Sequence, residues 1–187
     1  MAYFRLDTTD VFATRIGRIY SARPAVAAEM PNGVFGTVGD LETGKELIKV
    51  FKNPDPEKEL AIVAVPEVRY EQDRMADAAI GLYRNAAGKV LRVIPVAVKD
   101  TVSLSEDFLA KAKATKSAEL AVGDIITIGA SLVAGEQLDY SAMAPSAGKK
   151  YLKITKIFNS HIPVFLGGDG KMFPGVYKMY DLEVFEA

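Results

Sequence analysis

Residues 39–46, Gly39-Asp40-Leu41-Glu42-Thr43-Gly44-Lys45-Glu46, have the G-x4-G-K spacing of a phosphate-binding loop. That chemistry needs a Ser or Thr hydroxyl after the lysine to hold magnesium, and a glycine-rich backbone that cradles phosphate. Here Glu46 stands in the hydroxyl position, and Asp40 and Glu42 put negative charge inside the cradle. The residues that follow have strand composition, whereas a phosphate loop opens a helix. The segment therefore reads as a glycine turn. Gly33, Gly36 and Gly39 likewise lack the helix that a dinucleotide fingerprint requires.

His161 is the single histidine, which excludes an all-imidazole zinc site and the H-E-x-x-H arrangement. As a general base it would need an orienting carboxylate, and Asn159-Ser160-His161-Ile162-Pro163 supplies none nearby. Asp55, Glu57 and Glu59 cluster beside Lys52 and Lys58, a mixed-sign proline loop that reads as solvated surface rather than a metal cage. Lys111, Lys113 and Lys116 share a helical stretch and read as a solvated face, with an acidic partner as the competing reading. No nucleophile, base and orienting group converge in the sequence, so the expectation is a protein that is not an enzyme and uses no cofactor or metal.

The remaining composition narrows the classes further. The chain has 187 residues, Lys+Arg 23 against Asp+Glu 24, and no Cys. Thiolate catalysis, disulfides and cysteine metal sites are thereby excluded. A net charge of −1 gives no electrostatic footprint for nucleic acid, so none is expected as a partner. No window approaches 18 uncharged apolar residues and the amino terminus lacks a secretory apolar run, so a soluble chain made in the cytoplasm is expected, with no membrane partner. At this length about 70% of the unfolded surface can be buried, enough to fold without a metal or disulfide.

The elements that would position these residues are mostly strands. Residues 46–51 and 60–65 read as short strands separated by the loop Asn53 to Lys58, whose two prolines cannot sit in a central strand. Leu60-Ala61-Ile62-Val63-Ala64-Val65 reads as a strand buried on both faces. The clearest helix candidate runs from about Glu71 to Asn85, closed by Gly88. Residues 90–98 read as an edge or bulged strand because of Pro95. Ser103-Leu104-Ser105-Glu106 matches a capping box before a short helix, Asp107 to Lys116. From Leu120 the pattern is wholly β, with alternation over Tyr151 to Phe158 and Val176 to Phe185. The predicted class is α+β and β-rich, a mixed sheet with one main helix and a small sandwich or barrel-like carboxyl-terminal part. The predicted division is an extended arm over 1–23, an α+β core over 24–118 and a β-rich part over 119–187.

Four stretches together resemble a family of tailed-bacteriophage head decoration proteins, which stabilise capsids. They are Phe4-Arg5-Leu6-Asp7-Thr8-Thr9 with Gly17-Arg18-Ile19-Tyr20; Gly39 to Gly44 followed by a strand and Ala64-Val65-Pro66-Glu67; Asn85-Ala86-Ala87-Gly88-Lys89 before a β-branched strand; and the closing strands around a glycine turn. The resemblance implies a non-enzymatic virion protein on the capsid exterior, with the major capsid protein as partner and a second copy of itself as a further one. The arm, with large apolar residues and poor periodicity, is the expected anchor, through Phe4, Arg5, Phe12 and Arg15. The competing expectations are a tail-tube or head–tail assembly component, and a carbohydrate-binding or hydrolytic β module using Glu136 or Asp169.

Overall fold

Leu60-Ala61-Ile62-Val63 contains no polar residue, and all four are fully buried, as a strand with two covered faces requires. The computed structural model, which describes residues 5–12, 19–65, 84–165 and 172–187, shows how both faces are covered. This strand, β5 (Leu60–Val63), belongs to a closed barrel with β2 (Tyr20–Pro24), β3 (Phe35–Leu41), β4 (Ile48–Lys52) and β6 (Leu91–Val96), in the order β2-β4-β3-β5-β6. All neighbours are antiparallel except β2 and β4, which run parallel. Pro95 is tolerated because β2 pairs only with residues 91–93, leaving Pro95 past the end of that neighbour where a missing N–H costs no ladder bond.

Phe51 fills the barrel and sets a constraint on the opposite strand. A Cβ at Gly36 would lie 2.3 Å from the Phe51 ring, so only glycine lets the ring enter. Gly33 meets a second such constraint outside the barrel. Its φ is +98°, and a Cβ there would lie 2.7 Å from Phe108 and 3.0 Å from Leu104. Close approach at Gly33 seats the barrel on the second sheet.

That sheet contains β1 (Leu6–Phe12), β7 (Thr101–Ser105), β8 (Ile125–Ile128), β9 (Leu138–Ser141), β10 (Lys150–Phe165) and β11 (Met172–Glu186), in the order β1-β7-β11-β10-β8-β9. Each of its described pairings is antiparallel. The fold is thus α+β and β-rich; its closed barrel is built from residues 20–96, while the carboxyl-terminal strands form an open sheet. The segment through residue 23 contributes β1 to the sheet and β2 to the barrel. One hydrophobic cluster runs through both, from Phe35, Phe51 and Ile62 to Leu104, Leu152, Tyr180 and Leu182.

Two buried amides hold loops where no strand can. Gln137 Nε2 donates to the Phe35 carbonyl at 2.6 Å, and the Phe35 N–H donates to Gln137 Oε1 at 2.8 Å. The side chain thus takes the place of a strand partner for β3, whose pairing with β4 begins only at Thr37. Its amide also donates to the Ser131 carbonyl at 2.7 Å, fixing its own loop. Asn32 performs the second closure: its Nδ2 donates to the Val65 carbonyl at 2.7 Å and its Oδ1 accepts from the Val65 N–H at 3.0 Å. Asn85 Nδ2 donates to Asn32 Oδ1 and to the Met30 carbonyl, so residues 65 and 85 are pinned to one site. The helix predicted over 71–85 lies, except for its last two residues, outside the described residues.

The short second helix is present but starts differently. A 3₁₀ turn, Glu106–Leu109, leads into α1 (Ala110–Lys116), and Ser105 caps it without a side-chain hydrogen bond. Ser103 is no capping residue. It lies in β7, and its hydroxyl donates a short hydrogen bond to Asp181 in β11. The capping-box pattern fails because sheet pairing continues through Ser105.

Gly36→Ala is expected to destabilise the protein by about 1–3 kcal/mol through overpacking against Phe51. Gln137→Ala orphans two buried backbone groups of Phe35, at roughly 1–3 kcal/mol each. Urea unfolding checks both, with a lower midpoint and unchanged slope expected.

Candidate interaction surface

The strands β10 and β11 are far longer than their neighbours. They pair with each other through fifteen registered positions, from Lys150↔Glu186 to Phe165↔Met172. β8 meets β10 only at Leu152 and Lys153, and β7 meets β11 only from Met179 to Glu183. Beyond Met179 the two strands continue as a two-stranded ribbon over 159–165 and 172–178, about 20 Å long at the usual rise. Pro163 and Pro174 are directly opposite each other. Prolines in register deprive the ribbon of N–H donors at one level on both strands, which blunts strand addition there.

The root of the ribbon is braced from several sides. Lys178 Nζ donates to Glu119 at 2.8 Å. Arg5 Nη1 donates to Ser160 Oγ at 3.4 Å, and the Thr155 hydroxyl donates to the Asp181 carbonyl at 3.2 Å. The Lys178 ammonium, hydrogen-bonded to Glu119, holds that carboxyl below its ordinary range. Burial raises the Tyr177 hydroxyl pKa, and the nearby charge of Asp107 adds to the effect.

The four residues expected to contact a partner fall in different situations. Arg5 ties β1 to its own sheet: beyond its link to Ser160, its N–H donates to Ser105 Oγ at 2.9 Å and its carbonyl accepts from the Ser105 N–H at 3.0 Å. Phe12 ends β1, with its backbone paired to Thr101. Phe4 and Arg15 lie outside the described residues. Within the predicted arm, β1 is an edge strand whose Leu6 is buried in the core, and residues 20–23 belong to β2 of the barrel.

The other candidate groups resolve into structural work. Residues 39–46 form the β3–β4 hairpin, with Lys45 N–H donating to the Glu42 carbonyl in its turn. Lys111, Lys113 and Lys116 are each committed to a carboxylate of the chain, at 3.0 Å to Asp139, 2.8 Å to Glu106 and 2.5 Å to Asp124. Asp55 shapes its own loop, accepting from the Glu57 N–H and pairing with Lys58, whose hydrogen bond lowers its pKa. Glu136 is exposed in the predicted turn after Val133, and Asp169 lies outside the described residues. His161 sits in β10 opposite Val176. Among the described residues no group of three His, Cys, Asp or Glu side chains is placed to hold a metal ion. A groove of about 430 Å³ lies where Glu57, Lys58 and Glu59 face Val96, Lys150 and Glu186, open and of mixed charge.

Alternation located β10 over Tyr151 to Phe158 and β11 over Val176 to Phe185, and left out the inner stretches of both strands, which carry Pro163 and Pro174. The available signal was that the two prolines stand at matching distances from the glycine turn, among Ile162, Val164, Phe165, Phe173 and Val176. Among the described residues, no helix is long and apolar enough to cross a membrane. Comparison of the chain with protein-family models, curated proteins and solved structures finds no match.

The brace at the ribbon root has a pH signature. Because the folded pKa of Glu119 is depressed, the Lys178 pair is intact above the ordinary carboxylate range and released as pH falls through that lowered value. Carboxyl-carbon NMR is expected to show Glu119 titrating below its reference of 4.5, and returning toward it in Lys178→Ala.

Proposed function

We propose that this chain is a non-enzymatic structural protein of a tailed-phage virion that binds the outer face of the assembled capsid and stabilises it. The observation that carries the reading is the β10–β11 ribbon, which extends past both flanking strands from a firmly packed two-sheet body. An isolated two-stranded ribbon is marginal in water. One rich in Ile, Val, Phe and Tyr gains stability by lying against another protein surface. On a lattice of major capsid protein, many copies with modest individual contacts would act together where neighbours touch. The sequence resemblance to head decoration proteins supports the same assignment.

A tail-tube or head–tail assembly role is the second reading. It is favoured by β1 and β9 forming the two edges of the sheet, since an edge strand is a template for a neighbouring chain.

Co-sedimentation with phage shells, before and after expansion, separates these readings. Saturable pelleting with expanded shells is expected. A variant in which residues 161–176 are replaced by Asn-Gly, closing the ribbon between the paired Ser160 and Tyr177, is expected to bind at least about tenfold more weakly. Absence of pelleting with either shell would overturn the capsid reading, and rings or tubes of the isolated protein by electron microscopy would support the second.

A further inference from the structure

The outward face of β10 and β11, on the side opposite the core residues Leu152, Ile154 and Leu182, carries an ordered row of aromatic and basic side chains. The register places Tyr151 beside Phe185, Lys153 beside Glu183, Lys156 beside the buried Asp181 and the half-buried Phe158 beside the fully buried Met179, so the accessible part of the row runs along β10. A bulge between Ile154 and Lys156 keeps both lysines on this one face. Tyr151 and Phe185 stack with centroids 5.7 Å apart. Lys153 Nζ lies 5.9 Å from the Phe185 ring centre, and Lys156 Nζ lies 4.8 Å from that of Phe158. The row is about 25 Å long.

The carboxylates opposite the two lysines are engaged elsewhere among the described residues. Glu183 is paired with Lys99 at 3.4 Å, and Asp181 is buried and accepts from Ser103. Lys153 and Lys156 are exposed and form no ion pair among the described residues. The face therefore offers two positive charges between aromatic ends, a surface suited to a projection that combines carboxylates with apolar side chains.

The chain carries such a projection. The tip of the β3–β4 hairpin exposes Leu47 at 82% and Leu41 at 51%. Asp40 and Glu46 flank them, both exposed and without an ion pair among the described residues. Glu42 is committed to Arg23 at 2.8 Å, and Lys45 is the base at the turn, so two free acids stand against one base. The hairpin belongs to the barrel, and the barrel packs on the other side of the sheet through Gly33, Leu104 and Phe108. The tip and the lysine row therefore face apart within one molecule and can meet only between molecules.

We propose that copies of this chain associate head to tail, with the β3–β4 hairpin tip of one copy docking on the Tyr151–Lys153–Lys156–Phe158 row of the next. Asp40 and Glu46 meet the two lysines, and Leu41 and Leu47 cover the aromatic ends. The two surfaces differ, so the contact is heterologous and generates a ring where its rotation closes or a run of copies where it does not. Being charge-assisted and exposed at its rim, it weakens with salt. The proposal needs no capsid and stands apart from the capsid reading.

Sedimentation velocity of the full chain tests it, over a wide concentration range at about 0.02 M and about 0.5 M salt. Mass rising with concentration at low salt, and less so at high salt, is expected. The double variants Lys153→Glu/Lys156→Glu and Asp40→Lys/Glu46→Lys should each associate at least about tenfold more weakly alone, and an equimolar mixture should recover association because the swapped charges again oppose. Leu47→Ser provides an uncharged check with the same loss. A wild-type chain that stays monomeric throughout, a folded variant that associates like wild type, or a mixture of folded variants that does not recover would each overturn the proposal. Shell co-sedimentation of the same variants is a separate readout, so loss of self-association with retained pelleting would leave the capsid reading standing.

Discussion

A buried glutamine holds the two sheets in a single core. Where β4 stops short of Phe35, the edge of β3 presents an N–H and a carbonyl inside the protein, and leaving such groups unpaired costs about as much as a core methylene cluster gains. Gln137 answers both with one amide, at 2.8 and 2.6 Å, and reaches them from the loop between β8 and β9. The barrel edge is thereby completed by a residue of the other sheet. The packing of Gly33 against Leu104 and Phe108 lies close along the chain to this junction, so apolar contact and polar satisfaction fix the same relative placement. Asn32 and Asn85 do comparable work at the opposite end of the neighbouring loop.

Charge is distributed by a similar economy. The lysines of α1 are engaged with carboxylates of the same chain, and Asp139 shows the balance. Burial pushes its pKa up, but the Thr115 hydroxyl and the Lys111 ammonium outweigh that and lower it. Such partly exposed pairs orient the helix on β9 more than they stabilise it. Lys153 and Lys156 stand outside these pairings, on the sheet face turned away from the barrel.

How much of this was legible in the sequence depended on whether a residue's role was local. Leu60 to Val63 announced a doubly buried strand, and alternation in 151–158 and 176–185 announced a hairpin, because period-two patterning reports burial directly. The closed barrel over 20–96 was not legible, since closure depends on β2 meeting both β4 and β6, partners far apart in sequence. Ser103 was misread as a cap because its hydroxyl serves Asp181, some eighty residues away. Gln137 gave no signal at all: it looks like any turn residue until Phe35 is placed beside it. The inner half of the ribbon was not legible because it does not alternate cleanly, and Pro163 and Pro174 are tolerated there only because a two-stranded element has open sides. Of the candidate contact residues, the role of Arg5 within its own fold also rested on distant residues, Ser105 and Ser160.

The position of β11 in the sheet bears on synthesis. It is made after the other five strands of its sheet, yet it stands third of six, between β7 and β10, and β7 is the strand on which β1 rests. During translation, β1 precedes its partner β7 by about ninety residues, while the barrel strands between them are all made by residue 96. Chains grow at roughly 5–20 residues per second, so β1 waits for seconds before its sheet can close. A nascent chain cut short before residue 172 would have a complete set of barrel strands beside a sheet lacking the strand that joins its halves. Assembly of the whole surface, ribbon included, is thus reserved for chains made through β11, and shorter ones present unpaired strand edges of the kind that cellular proteolysis removes.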